Sequence, residues 1–331
     1  MKRKGLALIS GGLDSFLAAA LLKKRQKINV KGIYFFNGFE PGSREGSKFD
    51  KVTNKTWLET EVKDVSKDFL KVIRDPNFGY GSSVNPCIDC RIFMLKEAKK
   101  EMKKEGAEFL ITGEVVGQRP MSQNRQSMDL VEERSGLSGR IVRPLSAKLL
   151  PPTIPEKKGL IDRDKLLDIE GRSRKRQLKL ADELGLEEYD QPAGGCLLTD
   201  DNFERRVKDL WNREGSKEAS YQEMMLLKYG RHFRLPEGSK AIIGRDEQDN
   251  KKIDDLSEGF KKMGVVDHPS PLTLISPEAS KNEIRIAGKL TAKYSKAEDE
   301  EVKIFIESEN EISEFKIKNG ETEKKYNPCI K

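Results

Sequence analysis

Six residues near the amino terminus, Ser10-Gly11-Gly12-Leu13-Asp14-Ser15, set two glycines, two hydroxyls and a carboxylate between an apolar run and a strongly helix-forming one. Glycines let successive backbone N–H groups turn toward an anion and let a phosphate approach closely. A helix starting directly after them adds its positive end. Asp14 and Ser15 then stand at the helix start, where they can cap it or help to hold Mg2+ and phosphate. The same residues also suit a plain strand-to-helix turn with an Asp/Ser cap. They are not the Walker loop, which requires G-x-x-x-x-G-K-[ST].

A second chemistry is carried by cysteines. Cys87 and Cys90 are spaced C-x-x-C within Asn85-Pro86-Cys87-Ile88-Asp89-Cys90, and Cys196 follows Gly194-Gly195. Two soft ligands on one turn, plus a third from a glycine-rich loop, would make an open three-thiolate site. Direct persulfide and disulfide chemistry between Cys90 and Cys196 is a second reading. A structural zinc site is a third; it would want a fourth ligand, and Cys329 is the only spare cysteine. Three inert buried thiols are a fourth. The two histidines, His232 and His268, sit in no context that suggests a Ser-His-Asp triad or a His-rich metal site.

The elements that must position these groups follow from periodicity. Residues 5–9 form a short apolar run that suits a buried parallel strand. A helix is predicted over 15–24 and a β-branched, aromatic strand over 28–36, giving a β-α-β unit with its tight turn at the glycines. Strands are expected at 57–62, 108–113 and 140–143, and helices at 65–74 and 91–104. Such alternation argues for a parallel sheet covered on both sides. The polar stretch 113–128 reads as a loop at a strand's carboxyl end, where Gln118, Arg119, Ser122, Gln123 and Arg125 could face a ligand. Arg140, Arg143 and Lys148 add positive charge behind it.

Pro151-Pro152-Thr153-Ile154-Pro155 marks a joint. Helices are expected at 162–169, 171–184, 202–212 and 219–229. Arg172, Arg174, Lys175, Arg176 and Lys179 crowd the start of the second, either as a solvated face or as a phosphate-contacting one. From about 235, strand-like runs at 240–243, 271–275, 302–307 and 313–317 alternate with polar turns. The expected organisation is therefore three segments, at 1–155, 156–234 and 235–331.

A net charge of +7 and an isoelectric point near 9.0 favour a polyanionic partner. No apolar run approaches the ~20 residues of a membrane span. The expectation is a cytoplasmic protein with no membrane partner, in which structural disulfides are not anticipated. The oligomeric state is not readable.

The hexapeptide in its strand–helix context resembles the PP-loop of the ATP pyrophosphatase superfamily. Its members adenylate a carbonyl or carboxyl oxygen and release pyrophosphate. The resemblance implies an α/β, adenine nucleotide alpha hydrolase-like domain. ATP would then lie on Ser10, Gly11, Gly12, Leu13, Asp14 and Ser15, on the strand at Tyr34 and Phe35, and beside Gly113.

Over residues 5–215 the chain is similar to the tRNA thiolases, especially the tRNA 2-thiouridylases. Asn85-Pro86 to Cys90 matches their first motif, and Gly194-Gly195-Cys196 to Asn202-Phe203 their second. Residues 174–186 resemble the helix before that second motif. Thr112-Gly113 resembles a Thr-Gly-His-Tyr turn, with Glu114 and Val115 replacing the His and Tyr. In that family an Asp stands where this chain has Cys87. A cysteine there resembles the iron–sulfur branch, in which three cysteines hold a [4Fe–4S] cluster and an open iron binds sulfide. By that resemblance Cys87, Cys90 and Cys196 are metal ligands, and Cys90, Cys196 and Asp14 are catalytic. The cofactors are ATP, Mg2+ and the cluster. The partners are tRNA and a sulfur donor, either sulfide or a persulfide carrier. Asp89 is a possible proton carrier at a different spacing.

Residues 240–256 resemble the glycine-arginine-aspartate stretch of the NFACT RNA-binding domain, with Lys240, Arg245, Lys251 and Lys252 supplying charge. The chain thus reads as a parallel-sheet domain, a helical segment and a small α+β domain. The function expected is ATP-dependent thiolation of a tRNA uridine. Two alternatives stand beside it: a sulfur transferase acting on a small molecule or cofactor, and an RNA-binding module with a relic nucleotide fold.

Overall fold

The computed structural model describes residues 3–40, 57–187, 189, 195–214, 219–308 and 311–318. Cys329 and Gly194 lie outside the described residues. The chain divides into two units, Met1–Thr199 and Asp200–Lys331, so Cys196 belongs with the amino-terminal sheet.

In the first unit β1 (Lys4–Leu8), β2 (Asn29–Phe36), β3 (Thr60–Asp64), β4 (Phe109–Ile111) and β5 (Ile141–Val142) form one sheet in the order β3-β2-β1-β4-β5. Every pairing is parallel. The strand period of two sends Leu6 into one core with Ile33, Leu95 and Leu110, and Ala7 into the opposite core with Phe16, Leu17 and Val142. Both faces are therefore buried, which is why these strands read as continuous apolar runs. The chain moves from β1 outward through β2 and β3, then returns to β4 on the other side of β1. That reversal opens a crevice at the carboxyl ends of β1 and β4.

The first helix runs Leu13–Ala20 and continues as a π turn over Leu21–Arg25. The helix Cys87–Lys104 begins at the first cysteine, not at 91, and buries Ile92, Leu95, Ala98 and Met102. Two expectations are corrected here. Part of the stretch read as a loop is a helix, Arg125–Ser135, capped by Asn124, whose side chain accepts from Ser127 N. Residues 162–169 are not a helix. A 3-10 turn over Arg163–Lys165 gives way to extended chain, because Leu167 N and Ile169 N donate to Pro144 O and Leu145 O while Leu166 and Ile169 enter the core.

The second unit is a six-stranded antiparallel sheet in the order β11-β10-β8-β9-β7-β6. Its strands are β6 (Arg231–Arg234), β7 (Lys240–Ile243), β8 (Lys261–Val265), β9 (Thr273–Ile275), β10 (Glu301–Ser308) and β11 (Glu311–Lys318). The helix Lys281–Lys293 packs Ala287 and Leu290 on one face, against Ile243, Met263 and Ile304. The helix Glu247–Asp255 packs Ile253 on the other, against Ile242 and Leu274. The α+β expectation holds, but β6, β8 and both helices were not anticipated. Among the described residues no helix is long and apolar enough to cross a membrane.

Candidate active site

The phosphate-loop candidate is built by one hydroxyl and two glycines. After β1, Gly11 takes φ +81°, which L side chains rarely adopt, and Gly12 is the extended cap of the first helix. Ser15 Oγ donates to Gly12 O at 2.8 Å and accepts from Ser10 N at 3.2 Å, pinning the turn onto the helix. Leu13 gives its side chain to the core, so its backbone alone is free to serve a ligand. Asp14 accepts from Gln118 Nε2 at 3.0 Å and stands 3.7 Å from Arg174 Nη2. Its other oxygen, Oδ1, is buried without a hydrogen-bond partner, which leaves it available to a hard cation. Gly113, just past β4, abuts this helix start. A Cβ there would stand 2.4 Å from the Asp14 carbonyl carbon and 2.5 Å from Ser15 N.

These residues border a cleft of about 540 Å³. Ser10, Gly12, Asp14 and Ser15 form one end, and Ile33, Tyr34 and Phe35 of β2 line its flank. Cys90, Arg91, Gly195 and Cys196 also border it, as do Arg119 and Gln123, while Gln118 and Arg174 reach Asp14 at the glycine-turn end. Two residues proposed for this region, Ser122 and Arg125, do not line it.

Cys87 and Cys90 sit in the first turn of their helix, where Cys90 N donates to Pro86 O at 2.7 Å. Leu197 N donates to Phe39 O at 2.9 Å and so ties the Cys196 segment to the end of β2. Burial pushes the Cys90 thiol well up, and the neighbouring Cys196 and Cys87 thiols add to it. Burial also raises Cys87, an effect that Arg119 opposes. All three cysteines are half-buried. Cys90 thus feels both other thiols, although only Cys90 and Cys196 line the cleft and Cys87 does not; soft donors of this kind suit iron–sulfur ligation. Among the described residues, no three His, Cys, Asp or Glu side chains are already closed around a metal position. The donor chemistry fits a cluster, while the side chains as they stand are not drawn together around one.

Asp89 does not face this wall. Its buried carboxylate accepts from Asn77 N at 3.1 Å, Asn77 Nδ2 at 3.3 Å and Phe78 N at 2.9 Å. It is a fastening for the preceding turn, so the proton-carrier reading loses its support. Replacing Asp89 with Ala leaves two backbone donors unsatisfied. The expected cost is about 1–3 kcal/mol of unfolding free energy, measured by urea denaturation.

Two residues on the cleft wall went unrecognised in the sequence. Arg91 Nε donates to Glu114 Oε1 at 2.9 Å, and Arg143 Nε donates to Glu114 Oε2 at 2.8 Å. Arg143 Nη1 also donates to Glu132 Oε2 at 2.8 Å, and Thr112 Oγ1 donates to Glu114 at 3.0 Å. Burial alone would raise Glu114; Arg91 and Arg143 outweigh it and hold its carboxyl at about 2. Arg143, expected only to add positive charge behind the loop, is thus a buried partner of two carboxylates. The spacing of Arg91 directly after Cys90, and of Glu114 directly after the Thr-Gly turn, was the only available signal. Neither residue type announces burial.

The first unit is thus a parallel α/β sheet with a glycine turn and a cleft at its switch point. Residues 1–148 match the family of the thiamine biosynthesis protein (ThiI), and residues 230–326 match the NFACT protein RNA binding domain. Two curated relatives carry the name "Probable tRNA sulfurtransferase". The chain is 30% identical to that of Thermococcus kodakarensis over 151 residues, covering 43% of this chain and 36% of that protein. It is 34% identical to that of Methanosarcina acetivorans over 119 residues, covering 34% of this chain and 28% of that protein. The chain thus spans only about a third of the length of these relatives. A solved structure, the U34-tRNA thiolase NcsA from Methanococcus maripaludis with its [4Fe-4S] cluster, overlays with a TM-score of 0.33. It is 20% identical and covers 69% of this chain and 72% of that one.

Proposed function

We propose that the chain catalyses ATP-dependent thiolation of a tRNA uridine. The base oxygen is adenylated, pyrophosphate leaves, and sulfur then displaces AMP. The observation that carries this reading is that the glycine turn and the Cys90–Cys196 wall border the same cleft. ATP and sulfur chemistry would otherwise need separate sites.

In this reading the backbone N–H groups at Gly11 and Gly12, and the helix start behind them, receive the phosphates. Asp14 Oδ1 holds Mg2+, while Arg119 and Arg174 offset the charge of departing pyrophosphate. Tyr34 and Phe35 offer the adenine a surface. Cys87, Cys90 and Cys196 would hold a [4Fe–4S] cluster, which when bound supplies an iron position for sulfide. The sulfur donor is sulfide or a persulfide carrier. The carboxy-terminal unit, matched to an RNA-binding domain, brings the tRNA.

The test is anaerobic reconstitution with tRNA, ATP and sulfide. Thiolated nucleoside and AMP are expected, from brown protein carrying about four irons. Cys196→Ser is expected to abolish thiolation and lower iron content while leaving ATP affinity intact. Colourless protein with zinc would overturn the cluster, and failure to thiolate with cluster and ATP site intact would overturn the function.

A further inference from the structure

The carboxy-terminal unit contains basic residues of two kinds. Those singled out in the sequence are largely spoken for. Lys240 is buried and bonded to Asp209 at 3.2 Å. Arg245 pairs with Asp249 at 2.5 Å, and Lys252 lies 3.7 Å from Asp255. Lys251 is exposed, but the other three stand beside carboxylates of their own unit.

A different set is uncommitted. Between the start of the helix Lys281–Lys293 and the outer strands β10 and β11 lies a cleft of about 700 Å³. Lys261, Lys281 and Arg285 border it, and among the described residues none of the three is ion-paired. Among the described residues Glu311 is the one carboxylate that borders it. Phe315 and Ile306 lie on the same face of the β10–β11 pair and, with Ile284 of the helix, give it an apolar shelf, and Ser308 and Ser313 add hydroxyls.

We propose that this cleft binds single-stranded RNA, with Lys261, Lys281 and Arg285 on its phosphates and a base laid on the shelf at Phe315. This rests on the reading of tRNA as substrate and locates where the carboxy-terminal unit grips it. A purely apolar occupant would strip water from three cations and give nothing back. A polyanion neutralises them and releases its own counterions. A flat apolar surface beside a cationic groove is the combination that holds unstacked nucleotides without reading their sequence. A-form duplex cannot present a free base face to that shelf.

The whole chain is titrated with a fluorescent single-stranded RNA 12-mer and with a duplex of the same length, by anisotropy from 0.05 to 0.3 M KCl. Each cation on single-stranded phosphate contributes about −0.7 to the slope of log K against log[salt]. Lys281→Gln with Arg285→Gln is therefore expected to reduce the magnitude of the slope by about 1.4 and to weaken single-strand binding roughly 25-fold at 0.1 M salt. Circular dichroism should be unchanged, since neither side chain carries an internal bond. An unchanged slope in the double variant, with wild-type protein still binding tRNA, overturns this site and leaves the substrate reading standing. The same result with loss of self-association would assign the cleft to a second copy of the chain. Equal loss of duplex binding would reduce it to a non-specific cationic surface. Failure of wild-type protein to bind any RNA would overturn both this site and the substrate.

Discussion

Glu114→Gln is expected to destabilise the amino-terminal unit by about 3–5 kcal/mol. The substitution keeps the shape and removes the charge. Arg143 is 6% exposed at its side chain and donates to both Glu114 and Glu132. Without Glu114, Arg143 keeps only Glu132 in a place water hardly reaches, and the part-buried Arg91 keeps no carboxylate. Removing one partner of a buried pair costs far more than the pair itself contributes, because the remaining charge has lost its solvation. Arg91 also loses its hold on the end of β4. Since Arg91 adjoins Cys90, the first turn of the cysteine helix should loosen in the same variant. The measurement is urea unfolding followed by a probe in the first unit, with thiol alkylation rates at Cys90 alongside. A loss under 1 kcal/mol would mean that the network is not what joins this helix to the sheet.

The same carboxylate gives an acid dependence. Its folded value is about 2, below the ordinary 4.5. A depressed carboxylate contributes stability that is fully present above its unfolded value. That contribution is lost as pH falls from about 4.5 toward 2. Wild-type protein should therefore lose stability across that window more steeply than Glu114→Gln does.

What the sequence revealed and what it concealed have separable causes. The β-α-β start was legible because its strands are buried on both faces and its turn needs glycine. Arg125–Ser135 was not, since only Met128, Val131 and Ser135 of its eleven residues are buried. Its Asn124 cap and the left-handed Gly136 stop were present but carried no apolar stripe between them. In the second unit, Lys261–Val265 is charged at one end and has Gly264 in its interior, so neither alternation nor β-propensity marks it. Conversely, 162–169 has the composition of a helix but pairs with the 144–145 backbone instead, a tertiary preference that overrides local propensity.

The site divides in the same way. The glycine turn, Asp14, the β2 face and the cysteine spacing are local patterns, and the fold gathers them into one cleft. Glu40 and Phe39 also line it, but they enter through the path of the chain after β2, which no spacing records. The ionic partnership of Glu114 spans Arg91, Glu132 and Arg143, on three elements distant in sequence.

Gly113→Ala should abolish most nucleotide-dependent activity while leaving the unit folded. The added methyl would meet the Asp14 carbonyl carbon at 2.4 Å and Ser15 N at 2.5 Å, both backbone atoms. Neither can rotate away, so the helix start and the end of β4 must separate by about 1 Å to reach ordinary contact. That costs about 1–3 kcal/mol of stability. The larger effect falls on the site, because a displacement of about 1 Å is enough to lower a rate about 100-fold. Gly12→Ala separates the two causes. At Gly12 the nearest foreign atom to a Cβ is Ser10 Oγ at 3.6 Å, and the backbone is extended at φ −83°, so an alanine fits without strain. Its urea midpoint should match wild type, and any fall in ATP affinity there reports on the room a phosphate needs. If Gly12→Ala binds ATP as wild type does, while Gly113→Ala loses it, the position of the helix start matters and a phosphate does not need the space at Gly12. If both retain full ATP affinity and turnover, the phosphate loop is only a strand-to-helix turn.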